Sequence, residues 1–295
     1  MKYFKIIHSV MFFWLSVTSS FANNTYYLIT HGSQDPYWTS LFDGAKQAAK
    51  DLNVQVQVLS PPGANDVPKQ LKFIESVLAT DPLGIATTIP SNTVFSKSLK
   101  QAESKHIPII AVDTKPSNHQ KNPYLAFLGS DNFQAGKMLA MEAIKHAREK
   151  ERAVILNPQP GHVGLEMRAK GIKQVLSENN MVVEELDVGT DANFVQSRVK
   201  SYFLRHPNTT ILFCLTSQAL DPIGQMLLQP KKNNFNYKPL VFSFDKTPNT
   251  LSLIDKNVVA YAVDQQPFLM GYLAIAQLVL FNKFHLKPVN INTAT

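Results

Sequence analysis

The sequence predicts an α/β fold made of two doubly wound parallel-sheet lobes. Three observations lead there. Short apolar, β-branched runs alternate with amphipathic stretches of helical length from residue 26 to residue 284. Such alternation implies βαβ units and a parallel sheet. The runs are nearly all apolar, as expected of strands covered by helices on both faces. They also fall into two consecutive series of five, which suits two open sheets better than one wide sheet.

In the first series, strands are expected at 26–30, 54–59, 84–88, 108–112 and 124–128, with helices at 36–52, 67–79, 93–105 and 133–150. In the second, strands are expected at 153–156, 182–188, 210–215, 239–243 and 259–263. The accompanying helices are expected at 165–179, 194–206, 219–228, 250–256 and 268–284. The break between series falls near Gly129-Ser130-Asp131, where Ser130 or Asp131 can cap the helix beginning at Phe133. The stretch 268–281 is strongly apolar but is interrupted by Gly271 and Gln277. It is shorter than the roughly 20 residues that span a bilayer, so it reads as a buried helix. Lys231-Lys232-Asn233-Asn234 reads as a solvated loop.

The N-terminus carries a compartment signal. Lys2 and Lys5 precede and flank an apolar run over 6–17, and Ser20-Phe21-Ala22 places small residues where a signal peptidase cuts. Residues 1–22 are therefore expected to be a signal peptide, cleaved after Ala22, and the rest to be periplasmic. No Cys follows the cut, which argues against a lipid anchor. Cys214, the only cysteine, lies in the apolar run Ile211-Leu212-Phe213-Cys214-Leu215 and is expected to be a buried small hydrophobe. The net charge of +7 contains no Lys/Arg block longer than a pair, which argues against nucleic-acid binding.

Catalytic signals are weak. The sequence holds no nucleophile elbow of the G-x-S-x-G type, no dinucleotide fingerprint and no Cys/His cluster with metal spacing. The stretch from Gly129 to Lys137 has the wrong glycine spacing for a phosphate loop, and Met138 stands where that loop needs Ser or Thr. His31 and His162 fall in strand-end loops with no evident nucleophile partner and read as loop histidines. No catalytic residue, no cofactor and no metal site is expected.

Binding signals are better. Open parallel sheets hold ligands beyond the carboxyl ends of their strands. In the first series, Asp35, Tyr37 and Trp38 follow the first strand, Ser91 the third and Asp113 the fourth. In the second, Asn157 and Arg168 follow the first strand, Ser217 the third, Asp245 the fourth and Gln265 the last. Carboxylates accept hydroxyl protons, Arg and amides donate to hydroxyl or ring oxygens, and aromatic faces cover C–H faces. The set suits a polyhydroxylated ligand. Each member also has a local alternative: Asp35 and Asp245 as helix caps, Tyr37 and Trp38 as core.

Six segments in order carry a family likeness. They are Asp35-Pro36-Tyr37-Trp38 with Gly44-Ala45, Ile107-Pro108-Ile109-Ile110-Ala111-Val112-Asp113, and Gly129-Ser130-Asp131-Asn132 with Ala135-Gly136. The others are Gly164-Leu165-Glu166-Met167-Arg168 with Gly171, Phe244-Asp245 with Thr247-Pro248, and Asp264-Gln265-Gln266-Pro267 with Gly271-Tyr272. By these the chain resembles the sugar-binding, ribose-binding-protein-like branch of the type I periplasmic binding proteins. The resemblance implies two lobes joined by a three-segment hinge, closing on a sugar or polyol, with no enzymatic activity. It places residues 23–129 plus 265–287 in an N-terminal lobe and 130–264 plus 288–295 in a C-terminal lobe, with hinge segments near Gly129-Ser130, Asp264-Gln265 and Lys287-Pro288. It implies that Tyr37 and Trp38 stack on the ligand and that Asp113, Arg168, Asp245 and Gln265 hydrogen-bond it. The implied partner of a monomer is an ABC permease in the inner membrane. The alternative is a sensor that presents the sugar to a membrane histidine kinase. Two departures bear on ligand identity: Thr114 stands where many relatives have Arg, and Thr216-Ser217 where many have Asn-Asp.

Overall fold

The computed structural model describes residues 24–294 except 64, 118, 120 and 148–150. The expected signal peptide and its cleavage point lie outside the described residues, as do the last residues of the helix expected over 133–150.

The first lobe opens with β1 (Thr25–Ile29), α1 (Pro36–Asp51), β2 (Gln55–Leu59), α2 (Val67–Leu78), β3 (Gly84–Thr87), α3 (Ser96–Ser104), β4 (Ile109–Val112) and β5 (Ala126–Gly129). The chain then crosses to α4 (Asn132–Ile144), β6 (Arg152–Asn157), α5 (Val163–Glu178), β7 (Val182–Asp187), α6 (Ala192–Arg205) and β8 (Thr209–Cys214). α7 (Ser217–Leu228), α8 (Pro230–Asn233), β9 (Leu240–Phe244), α9 (Pro248–Asp255) and β10 (Tyr261–Val263) complete the second lobe. The chain returns for α10 (Pro267–Phe284) and β11 (Ile291–Asn292).

The two sheets run β11-β5-β4-β3-β1-β2 and β10-β9-β8-β6-β7, every pair parallel. Apart from β11, both follow one order, with the second strand outside the first and the third on its other side. The order in which strands are added therefore reverses between β1 and β3 and again between β6 and β8. Those switch points are where a doubly wound sheet opens a crevice at its carboxyl edge.

Two expectations are corrected. Residues 288–295 do not belong as a block to the second lobe. Ile291 and Asn292 pair with Leu128 and Gly129 in the first-lobe sheet, and only then does Ala294 reach the second-lobe core. The third crossover therefore follows Asn292 rather than Lys287-Pro288, because a free sheet edge at β5 accepts the chain first. The basic stretch at 231–234 is not wholly loop: Pro230, with its fixed φ, starts the single exposed turn α8, which ends at Asn234 in the left-handed region.

Each lobe is fixed by one close helix pair. A Cβ on Gly44 of α1 would lie 2.0 Å from the Phe268 carbonyl oxygen of α10, and one on Gly271 would lie 2.0 Å from that of Leu41. In the second lobe the same reciprocity joins Gly136 of α4 to Arg168 O at 2.2 Å and Gly171 of α5 to Phe133 O at 2.2 Å. α10 is the one helix among the described residues long and apolar enough to cross a membrane. It packs instead through Met270, Ala274, Ile275 and Leu278 into the first-lobe core. Cys214 is free and wholly buried in the second-lobe core, and burial pushes its thiol pKa up.

Candidate functional site

Strand ends of both sheets contribute to one cavity between the lobes. It contains about 450 Å³ of space free of protein atoms, its mouth included.

The two lobes aim a carboxylate by the same backbone device. Asp113 follows β4 with φ 62°, and Asp245 follows β9 with φ 74°. Aspartate tolerates this left-handed region better than most residues. Each N–H is anchored on the neighbouring strand, Asp113 to Leu128 O at 2.9 Å and Asp245 to Val263 O at 3.0 Å. The helix after Asp245 is capped by Thr247, so that carboxylate is left to the cavity.

The remaining groups are held as follows. Asp35 caps α1, its Oδ1 accepting from Tyr37 N at 2.8 Å. Tyr37 donates its hydroxyl to Asp113 Oδ1 at 2.5 Å, and Thr114 Oγ1 donates to Asp113 Oδ2 at 2.9 Å. Burial, with Asp113 beside it, raises the Tyr37 phenol well above its ordinary value and keeps it a donor. Trp38 meets Tyr37 and His31 edge to face, with centroids 5.1 and 4.9 Å away. Tyr37 and Trp38 thus belong to the first-lobe core and line the cavity as well.

Arg168 projects from α5. Its Nε donates to Asn132 Oδ1 at 2.7 Å, one terminal nitrogen to Leu215 O at 2.7 Å, and the other to Gln265 Oε1. The guanidinium lies 4.3 Å above the Phe244 ring. Gln265 sits in the second crossover. It also accepts from Ser130 Oγ of the first crossover at 3.1 Å and donates to Asp245 Oδ1 at 2.5 Å. One amide therefore ties two hinge segments to two cavity residues.

The lobes meet across the cavity. Val163 N–H donates to Pro90 O at 3.2 Å, and Ser217 Oγ donates to Asp35 Oδ2 at 2.6 Å. The same hydroxyl lies 3.2 Å from Asp245 Oδ2, which also accepts from Ser217 N at 2.9 Å. Two carboxylates from opposite lobes thus converge on one serine. Burial, reinforced by Asp245, pushes the Asp35 carboxyl up to about 6 against the opposing bonds from Ser217 and Tyr37. Asp245 is also raised by burial, with Arg168 opposing.

Of the ten residues singled out in the sequence, Asp35, Tyr37, Trp38, Asp113, Arg168, Ser217, Asp245 and Gln265 line this cavity. Ser91 and Asn157 do not. Ser91 accepts from Thr93 N and Val94 N in a local turn. Asn157 is buried, donating to Glu185 Oε1 at 2.7 Å and accepting from Gln159 N at 3.0 Å, so it shapes the loop that carries Gln159. The sequence reading missed His31, Gln159, His162 and Gln218, all of which line the cavity. The histidine rings come from opposite lobes with centroids 5.1 Å apart, and burial holds both down to about 3, so both are neutral. His162 Nδ1 accepts from Leu165 N at 3.4 Å as the cap of α5.

A family profile described as "Periplasmic binding protein domain" matches residues 26–282. A crystal structure described as an ABC sugar transporter (periplasmic sugar binding protein) from Legionella pneumophila is 67% identical. It covers 92% of this chain and 100% of its own, with a TM-score of 0.91. A carbohydrate transporter solute binding protein from Agrobacterium radiobacter, solved in complex with D-arabinose, is 26% identical over 93% of this chain and 94% of its own, TM-score 0.83. The D-allose-binding periplasmic protein of Escherichia coli K12 is 23% identical, over 94% of this chain and 91% of that one.

Proposed function

This chain belongs to the periplasmic binding protein domain family, and we propose that it captures a sugar or polyol in the periplasm between its two lobes and delivers it to an ABC importer. It is a binding protein, not an enzyme, like the relatives it matches. The observation that carries the ligand class is the unused acceptor capacity of three buried carboxylates drawn from both lobes. A carboxylate offers about four lone pairs. Asp35, Asp113 and Asp245 each accept two hydrogen bonds, the single Ser217 hydroxyl proton going to Asp35. Ligand hydroxyls can supply the missing donors, Arg168 and Gln265 can donate to ligand oxygens, and the Trp38 face can cover an apolar ring face.

Hinge closure is an established motion of periplasmic binding proteins. Here each half of the contact set stands on a different lobe, so a ligand satisfies all of it only when the lobes are closed, and it shifts the population accordingly. The test is a thermal-shift and calorimetric screen of pentoses, hexoses and polyols, followed by solution scattering with the best binder. Micromolar or tighter binding with a reduced radius of gyration is expected. No binding across the panel, or binding with an unchanged radius, overturns the proposal. Sugar uptake that survives deletion of this chain's gene would point to the signalling role instead of delivery.

Closing is also expected to depend on pH. It carries Asp35 from water to Ser217 and Asp245, and its carboxyl is held up at about 6 in the closed form. Closing therefore takes up a proton. The cost of burying this carboxylate is absent below the ordinary carboxylate range and complete above about pH 6. Lowering the pH from about 7.5 to about 5 should favour the closed form of the unliganded protein, and Asp35→Asn should flatten the dependence. Scattering curves at the two pH values check this; a more open protein at the lower pH would contradict it.

A further inference from the structure

The cavity histidine of the first lobe is backed by a buried chain of hydrogen bonds. Gln70 of α2 is fully buried, and its Nε2 donates to the Thr88 carbonyl oxygen at 2.7 Å. That contact fixes the amide, because a flipped Gln70 would set its own oxygen against a carbonyl oxygen. The same nitrogen lies 2.9 Å from Thr88 Oγ1 and 3.1 Å from Thr87 Oγ1. Thr87 Oγ1 donates to Ile29 O at 2.9 Å, so it accepts from Gln70. Nε2 carries two protons, one directed to Thr88 O and the other shared between the two threonine hydroxyls, so Thr88 Oγ1 also accepts from Gln70 and its own proton is left for His31 Nδ1, 2.8 Å away. His31 Nδ1 must then be an acceptor. The ring is neutral, so its single proton sits on Nε2, which has no protein partner among the described residues and belongs to a side chain lining the cavity.

We propose that Gln70 and Thr88 are positioning residues that lock His31 in the Nε2–H tautomer, making it a hydrogen-bond donor that selects a ligand oxygen at its end of the cavity. Neither touches the cavity. Gln70 Oε1 has no hydrogen-bond partner among the described residues, so the amide is kept there for what its nitrogen does rather than for full satisfaction of its own polar atoms. The donor end has a chemical consequence. Asp35, Asp113 and Asp245 only accept when ionised, whereas His31 only donates. A ligand hydroxyl meeting the carboxylates is read as a donor, and the oxygen facing His31 is read as an acceptor. A ligand deoxygenated at that position leaves a buried N–H unpaired.

The ligand part rests on the sugar-binding function proposed above, so the test has two arms. Long-range proton–nitrogen correlation spectra of the unliganded protein with isotope-labelled histidine, at about pH 7, report the His31 tautomer directly. The wild type should show the Nε2–H form alone. Thr88→Val, which keeps the shape and removes the hydroxyl, should give a tautomer mixture, and Thr88→Ser should restore the single form. In the second arm, calorimetry with D-arabinose and D-allose should show Thr88→Val and Gln70→Met weakening binding about tenfold, with Thr88→Ser within about threefold of the wild type. A wild-type His31 protonated on Nδ1, or a Thr88→Val protein with an unchanged tautomer, overturns the relay. If these two sugars and the rest of the pentose, hexose and polyol panel fail to bind the wild type, the function proposed above is at fault, and the relay still stands or falls on the spectra.

Discussion

Replacing Arg168 with methionine is expected to weaken ligand binding by at least about 100-fold and to destabilise the fold by about 3–5 kcal/mol. Arg168 is 4% exposed and is the only Lys or Arg among the described residues that lines the cavity. Its donors meet Asn132 Oδ1, Leu215 O and Gln265 Oε1, none of them a charged acceptor. Removing them leaves Asn132 Oδ1 and Leu215 O without that donor in or beside a buried cavity, each costing about 1–3 kcal/mol if no water replaces the bond, while Gln265 Oε1 keeps only Ser130. A second loss is electrostatic. Burial pushes the Asp245 carboxyl up and Arg168 opposes that shift, so without the guanidinium Asp245 is still harder to keep charged. A third loss is positional, because Gln265 is steered by Arg168 on one side and Asp245 on the other. Arg168→Lys restores the charge but not the planar fork, and should recover little of the binding. Urea unfolding and calorimetry with the best sugar from the screen measure both effects. A methionine variant within about 0.5 kcal/mol of wild-type stability and within a few-fold of its affinity would remove Arg168 from both roles.

Much of this organisation was legible in the sequence, for reasons that differ between elements. Strands such as β4 and the 211–214 part of β8 are unbroken apolar runs because helices cover both faces, and an apolar run bounded by polar residues is visible without tertiary knowledge. The strand-end rule found Asp113 and Asp245 because a doubly wound sheet aims whatever follows a strand toward the crevice. The same rule misplaced Asn157, since a strand-end amide can as easily bond the adjacent loop and the next strand, as it does with Gln159 N and Glu185. It could have found His31, which directly follows Thr30 at the end of β1. No nucleophile stands near this histidine in the sequence; its partner is the buried Thr88, itself held by Gln70, and only folding brings the three together. β11 was out of reach: two residues, Ile291 and Asn292, carry no periodicity, and they form a strand only because β5 offers a free edge.

The last expectation concerns Gly136, and it links packing to the site. A Cβ there would lie 2.2 Å from the Arg168 carbonyl oxygen and 3.0 Å from its carbonyl carbon, so α4 and α5 touch backbone to backbone at the residue that carries the cavity's guanidinium. Main-chain atoms cannot swing aside as a side-chain tip does, and the helices must separate or slide. Overpacking of this kind costs about 1–3 kcal/mol and sometimes more, against about 1 kcal/mol gained from alanine's better helix propensity. Gly136→Ala should therefore destabilise the protein by about 2 kcal/mol, and Gly136→Val, with a β-branched side chain at the same contact, by about 4 kcal/mol. Both should also weaken ligand binding, because Arg168 must keep its reach to Leu215 O and Gln265 while its own backbone is displaced. Gly44→Ala supplies the comparison in the first lobe, where the overlap is with Phe268 O at 2.0 Å and the stability loss should be similar. Gly63→Ala is the control, since a Cβ there meets nothing within 4 Å among the described residues, and its stability should stay within about 0.5 kcal/mol of the wild type. Denaturant midpoints for the four variants decide the packing claim, and calorimetry on Gly136→Ala decides its link to the site. A Gly136→Ala protein as stable as the wild type would mean that the helix pair has slack, and that the reciprocal glycines do not set the position of Arg168.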